Sequence, residues 1–323
     1  MKDTDASTMK RMLTTAPMKR LTRPANPRAF ELTQRDIDIL SFVARVDLAT
    51  GDQIIRFTGG SEKNVATRIR LLFWHQFLNR PEHQRTHIAV FSDLGNTPLI
   101  YSIGPAGKQL LAQRGILHKR SRGKFPLLSH TVATTEFILS CAVASRAEGV
   151  PRLIDHADLL PFMPEATRAL EHPFRFRVTH QQDFKPISLS VDPDRLISLE
   201  YADHHRYNFC IESDLGNETI ASRHKGKIRL AAKSTFARKL AGYFHGWSAD
   251  RHRVQWGWQG FRVLTITPSV PRIASMIDAQ RQICDRAPSL FLYTTPARVA
   301  EHGAFAPIWI SSERDGISII DRR

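Results

Sequence analysis

The sequence predicts an α+β protein in two parts: a helical N-terminal unit closed by a small hairpin, then a mixed sheet flanked by helices. Three observations predict it. Apolar residues recur at helical spacing in three consecutive segments before residue 78, and two short extended runs follow. From residue 130 the order becomes helix, three strands, helix, strand, which implies a mixed sheet. Between these parts, Arg114, Lys119, Arg120, Arg122 and Lys124 precede Pro126, the composition of a linker. The 323 residues are enough for two cores. The divisions expected are a basic disordered arm at 1–30, a first domain at 31–113, a linker at 114–129 and a second domain at 130–323.

The arm carries Lys2, Lys10, Arg11, Lys19, Arg20, Arg23 and Arg28 with little periodicity. Thr33 then offers an N-cap, with Asp36 three residues on in the manner of a capping box. Ile37, Leu40, Phe42, Val43 and Val46 give the first helix its apolar stripe. A second, short helix opens at Leu48-Ala49-Thr50 and breaks at Gly59-Gly60. Ser61 caps a third, running to about Phe77 with Val65, Ile69, Leu72 and Phe73 as its core face. Ile88–Phe91 and Leu99–Ile103, separated by a turn at Asp93–Asn96, read as a hairpin.

Three helices followed by a hairpin is the order of a winged helix-turn-helix, with the Gly-Gly pair at its tight corner. The third helix would then be the recognition helix. Lys63, Asn64, Thr67, Arg68 and Arg70 lie on its polar face, and Arg80 and Arg85 lie in the hairpin region. Lys and Arg pair with phosphates or guanine edges, and Asn reads adenine. Charge points the same way. Of a net +15, residues 1–125 hold 21 Lys and Arg against 10 Asp and Glu, whereas 126–323 hold 25 against 21. A basic excess confined to the first third implies a polyanionic partner, here double-stranded DNA.

Other classes are excluded or disfavoured. No apolar stretch is long enough to span a bilayer and no secretory leader is visible, which fits a cytoplasmic protein. Cys141, Cys210 and Cys284 are scattered, so neither a disulfide framework nor a thiolate zinc site is expected. There is no H-E-x-x-H and no Gly-rich phosphate loop, so no nucleotide cofactor is indicated. Asp203-His204-His205 falls at a turn and lacks partner motifs.

In the second domain, Asp194 enters one strand and Glu212 ends the next. Their motifs, with others, carry a resemblance. Leu32-Thr33-Gln34-Arg35-Asp36, Tyr101-Ser102-Ile103-Gly104-Pro105-Ala106-Gly107, His130 with Glu136, Pro193-Asp194, Glu212 to Glu218 and Lys239-Leu240-Ala241-Gly242-Tyr243 occur in order. The chain resembles the replication-relaxation family of plasmids and mobile elements over about residues 30 to 295. The resemblance implies a winged helix joined to a restriction-endonuclease-like domain with a PD-(D/E)xK pattern. Such a nuclease holds Mg²⁺ on carboxylates at adjacent strand ends and uses a Lys to stabilise charge developing on the phosphate. Here Asp194 and Glu212 would be the metal ligands, with Glu136 completing the site from an apolar helix face. Asp214 stands where the pattern has its Lys, and Lys239 could substitute from the following helix. Three readings stay open: a DNA-binding regulator or accessory factor in replication, transfer or transcription, its second domain serving dimerisation or partner contact; a Mg²⁺-dependent nuclease targeted by the winged helix; and an adaptor that does not bind DNA. A homodimer is compatible with the first.

Overall fold

A computed structural model describes residues 22–81, 84, 98–116, 128–231, 234–284 and 289–321. The chain divides into two compact units, 1–119 and 120–323.

In the first unit α1 (Gln34–Val46) begins as its sequence requires. The Thr33 N–H and hydroxyl both donate to Asp36 Oδ2 at 2.7 Å, meeting donors that the first helical turn leaves without partners. α2 (Gly51–Thr58) starts later than its sequence suggests. Thr50 is its N-cap, while Ala49–Thr50 form strand β1 and pair with β3 (Ile100–Ile103). Gly59 and Gly60 adopt φ +68° and +82°, conformations that side chains resist, and so turn the chain into α3 (Glu62–Trp74). That helix ends three residues short of the expected Phe77, because the chain turns at His75–Gln76 to reach β2 (Leu78–Asn79). β2 and β1 flank β3 in a small antiparallel sheet. Gly104 and Gly107 bring α4 (Pro105–Gln113) against the end of α3. A Cβ at either position would lie within 2.2 Å of the carbonyl oxygen of Gln76 or Phe77. Most of the expected hairpin, with Arg85, Ile88–Phe91 and the turn at Asp93–Asn96, lies outside the described residues.

Residues 22–30 depart from the disordered arm expected over 1–30. Arg23 lies over the Phe73 ring (4.4 Å to its centroid) and donates to the carbonyls of Phe73 and Leu78, and Phe30 packs against His75 and Phe77. Carbonyls at the end of a helix lack intrahelical partners, and a guanidinium satisfies them.

The second unit is built on a five-stranded mixed sheet ordered β12-β11-β8-β7-β4. Its strands are β4 (Arg152–Asp155), β7 (Arg195–Glu200), β8 (Arg206–Ser213), β11 (Arg262–Ile266) and β12 (Phe291–Thr294). β8, β11 and β12 are parallel, and β7 runs against both β8 and β4. Helix α5 (Leu128–Ala144) precedes the sheet. Its buried residues are Thr134, Thr135, Phe137, Ile138, Leu139 and Cys141, while Val143 is exposed. The buried face therefore differs from the stripe of Val132, Glu136, Leu139 and Val143 that the sequence suggests. The short α6 (His156–Leu159) and α7 (Glu165–Arg168) follow β4.

Strands β5 (Phe176–Gln182) and β6 (Lys185–Val191) do not join this sheet. They pair with each other in a hairpin that packs on α8 (Phe236–Ser248). Gly242 and Gly246 permit that packing, since a Cβ at Gly246 would meet the Phe176 ring at 2.3 Å. A further small pair, β9 (Arg223–His224) and β10 (Lys227–Ile228), precedes α8. α9 (Arg251–Trp256), α10 (Val270–Ile283) and α11 (Pro296–His302) complete the unit. Leu196, Cys210, Val263 and Phe291 meet Phe236, Leu240, Met276 and Trp256 in one core. The three cysteines are buried, and none is in a disulfide. Among the described residues no helix is long and apolar enough to cross a membrane.

Candidate functional site

Two arrangements matter. The first is the outer side of α3. Val65, Ile69, Leu72 and Phe73 are buried, and helical periodicity places Lys63, Asn64 and Arg70 outward, where all three are exposed. Arg70 lies over Trp74, 5.3 Å from the ring centroid, and Thr67 is half-buried with its hydroxyl donating to the Lys63 carbonyl.

Arg68 is elsewhere engaged. Its Nε donates to Asp36 Oδ1 at 2.9 Å, and its Nη2 donates to Asp36 Oδ2 and to the Glu31 carbonyl at 2.6 Å. Burial would raise the Asp36 pKa, but Arg68 and Thr33 together hold it below the usual carboxylate range. Arg68 thus braces α3 against the start of α1 and leaves the set expected to read bases. Position 68 borders the buried stripe, and the fully buried Asp36 beside it requires a cation. Arg80 is part-buried, its guanidinium 3.9 Å from the Phe73 centroid and within hydrogen-bonding reach of the Tyr101 hydroxyl (3.0 Å). It sits beside Arg23, and burial together with Arg80 lowers the Arg23 pKa.

The second arrangement lies in the other unit, where β7, β8 and α8 meet. Side chains alternate along β8, so Cys210 and Glu212 face α8, where Lys239 and Tyr243 stand one turn apart. Lys239 Nζ is 3.3 Å from Glu212 Oε2 and 3.2 Å from Glu218 Oε2, and the Tyr243 hydroxyl donates to Glu212 Oε1 at 2.5 Å. Asp194 opens the same hairpin. Its Oδ2 accepts the Ser213 N–H at 2.8 Å and lies 3.3 Å from His130 Nε2. Burial pushes Glu212 up; Lys239 pulls it back, Asp194 pushes it further, Tyr243 pulls it back, and the result is a pKa of about 7. Glu212, then Glu218 and Asp194, hold the Lys239 ammonium charged against the effect of burial.

The structure therefore brings Asp194, Glu212 and Lys239 together, and adds His130, Glu218 and Tyr243. Those three lie within the motifs quoted above, although the motifs alone assign Tyr243 no role. One expected residue is committed elsewhere. Asp214 turns to Arg272, which donates from Nε and from Nη2 (2.8 Å), and it also accepts from the Thr267 hydroxyl at 2.5 Å. Burial opposes its ionisation, but Arg272 and Thr267 hold its pKa below the ordinary value. Glu136 sits half-buried on α5. Among the described residues no group of three or more His, Cys, Asp or Glu side chains is arranged to hold a metal ion, so Glu136, Asp194 and Glu212 do not form the expected three-carboxylate site.

A family model described as replication-relaxation matches residues 40–256. No curated protein and no solved structure matches the chain.

Proposed function

The chain belongs to the replication-relaxation family, and on that premise we propose that it is a DNA-binding accessory factor of a plasmid or other mobile element, serving replication, transfer or transcription. It acts through a winged helix-turn-helix in its first unit and binds double-stranded DNA. The observation that carries this reading is α3, which is preceded by a Gly-Gly corner, anchored by its buried face and by Arg68, and presents Lys63, Asn64 and Arg70 to solvent. The small sheet beside it supplies the base of a wing, and Arg80 stands where that wing would leave β2. The full chain with Lys63, Asn64 and Arg70 all replaced by Ala should lose at least tenfold in duplex affinity. Its log–log salt slope should flatten by roughly 0.9 for each phosphate contact removed. Unchanged affinity and slope would refute the assignment.

The juxtaposition of Asp194, Glu212 and Lys239 favours a second reading, a Mg²⁺-dependent nuclease. The side chains do not fit the ion. Mg²⁺ demands open carboxylate oxygens in octahedral geometry, yet both Glu212 oxygens are engaged, by Lys239 and Tyr243, and Asp194 Oδ2 is held by Ser213 and His130. Lys239 closes the pair as an internal ion pair. The second unit accordingly serves as a scaffold for dimerisation or partner contact.

A further inference from the structure

The β5–β6 hairpin carries a feature that packing does not explain. Gln182 pairs with Lys185, so the loop is the two residues Asp183-Phe184. Both have positive φ, +52° and +63°, as a type I′ turn requires. Such turns favour Asn-Gly, because a side chain with φ above zero is strained. Here the second position holds Phe, and its ring is wholly exposed at 102%. An aromatic side chain held in a strained conformation, with nothing packed on it, points to something it meets outside the chain.

The outward face of the hairpin says what. Its exposed positions are Arg177, Thr179 and Gln181 on β5 and Pro186, Ser188 and Ser190 opposite, which are polar or neutral and include no acid. At its base lies an open groove of about 480 Å³. Arg177, Thr179, His245, Ser248 and Arg251 line it with Val178 and Ala249, again without a carboxylate. Arg251 Nε is buried there without a hydrogen-bond partner. Two guanidiniums, two hydroxyls and an imidazole suit a phosphate group. Of the acids nearby, Asp183 is at the tip, away from the groove, Asp192 at the hairpin base pairs with Arg175 at 2.7 Å, and Asp250, between Ala249 and Arg251 in the chain, pairs with Arg253 at 3.2 Å. Thr179 and Phe184 are five positions apart in the chain, roughly 17 Å at the strand rise, a span of a few nucleotides of an extended single strand.

We propose that this hairpin is a second nucleic-acid contact, specific to single strands, in which the groove seats a backbone phosphate and Phe184 stacks on an unpaired base a few nucleotides away. A single strand fits better than a duplex because a lone ring at a tip needs a free base face. His180 and His245 stack beside the groove at 4.1 Å, and burial lowers the pKa of both. A phosphate seated there favours the charged His245.

The test uses the full chain with Lys63→Ala and Arg70→Ala, so that duplex binding by the first unit does not mask the second. A 12-nucleotide single strand containing 2-aminopurine reports affinity by anisotropy and stacking by quenching. Phe184→Ala should weaken binding about 5- to 100-fold and relieve the quenching, and Phe184→Trp should preserve both. Phe184→Gly should raise the melting temperature, because the turn suits Gly, while still weakening binding. That pairing separates a contact residue from a structural one. Arg177→Gln with Arg251→Gln should lower the salt slope by about 0.7, the value for one phosphate on a single strand. Inorganic phosphate should shift the His245 ring resonances in the parent and not in this double variant. Affinities within twofold of the parent for Phe184→Ala and for the arginine pair would overturn the proposal. So would a loss confined to binding of anionic vesicles, which would make the hairpin a membrane contact. Neither result bears on α3, whose test uses duplex DNA.

Discussion

Glu212→Gln tests the electrostatics of the buried cluster. Its carboxyl ordinarily titrates near 4.5 and is pushed to about 7 in the folded chain. A group whose pKa rises on folding binds its proton more tightly in the folded state. Its contribution to stability is therefore whole below pH 4.5 and is lost as the pH climbs through 7. The gap corresponds to roughly 3 kcal/mol, lost progressively as the pH rises between the two values. Gln keeps one acceptor oxygen, for Lys239, turns an N–H toward the Tyr243 oxygen, and does not titrate. The variant should gain on the parent by roughly 3 kcal/mol between pH 4.5 and pH 8. Urea unfolding followed by tryptophan fluorescence suits the measurement, since Trp247, Trp256, Trp258 and Trp309 lie in the second unit and Trp74 alone in the first. Titration of the Glu212 side-chain carbon by NMR gives the pKa directly. Stability curves that stay parallel from pH 4.5 to 8 would mean that Glu212 is ionised throughout. The Lys239 pairing would then outweigh burial, and the reasoning would fail.

Two further outcomes are expected. Arg68→Ala leaves the Asp36 carboxylate buried with only Thr33 to satisfy it. Because Arg68 is itself a quarter exposed, the loss should be about 2 kcal/mol, below the 3–5 typical of a fully buried pair. Thermal melts should reveal it while base preference in duplex selection stays unchanged, and a switch in preference without loss of stability would return Arg68 to the reading face. Purified protein should not nick supercoiled DNA with Mg²⁺ or Mn²⁺, and robust metal-dependent nicking abolished by Asp194→Ala would reinstate the nuclease.

How much of this was legible in the sequence depended on the range of the interaction. The capping box at Thr33 and Asp36, the Gly-Gly corner and the buried stripe of α3 are local, set by residues within one or two helical turns, and they were readable. The register that places Glu212 toward Lys239 followed from strand alternation plus one helix, and the pairing could at least be posed. What escaped needed partners far along the chain. Arg68 looks like any basic residue on a polar face until Asp36, 32 residues earlier, is found fully buried beside it. Asp214 sits where a nuclease pattern has Lys, but its commitment to Arg272 spans 58 residues. The isolation of the β5–β6 hairpin from the main sheet was equally hidden. Alternating strands look alike whether they join a sheet or pack on a helix, and Gly242 and Gly246, which admit the hairpin, lie 51 and 70 residues downstream of the Val191 and Phe176 they meet.

The parallel half of the large sheet bears on how the chain is made. The family match ends at residue 256, before β11 at Arg262–Ile266 takes its place beside β8. A nascent chain, or a fragment cut at that boundary, would have β8 unpaired along one side and Asp214 without Arg272. An open edge in the middle of an apolar sheet invites pairing with a second copy. The unit therefore cannot close until β11, α10 and β12 have emerged, and until then it depends on not meeting its own kind.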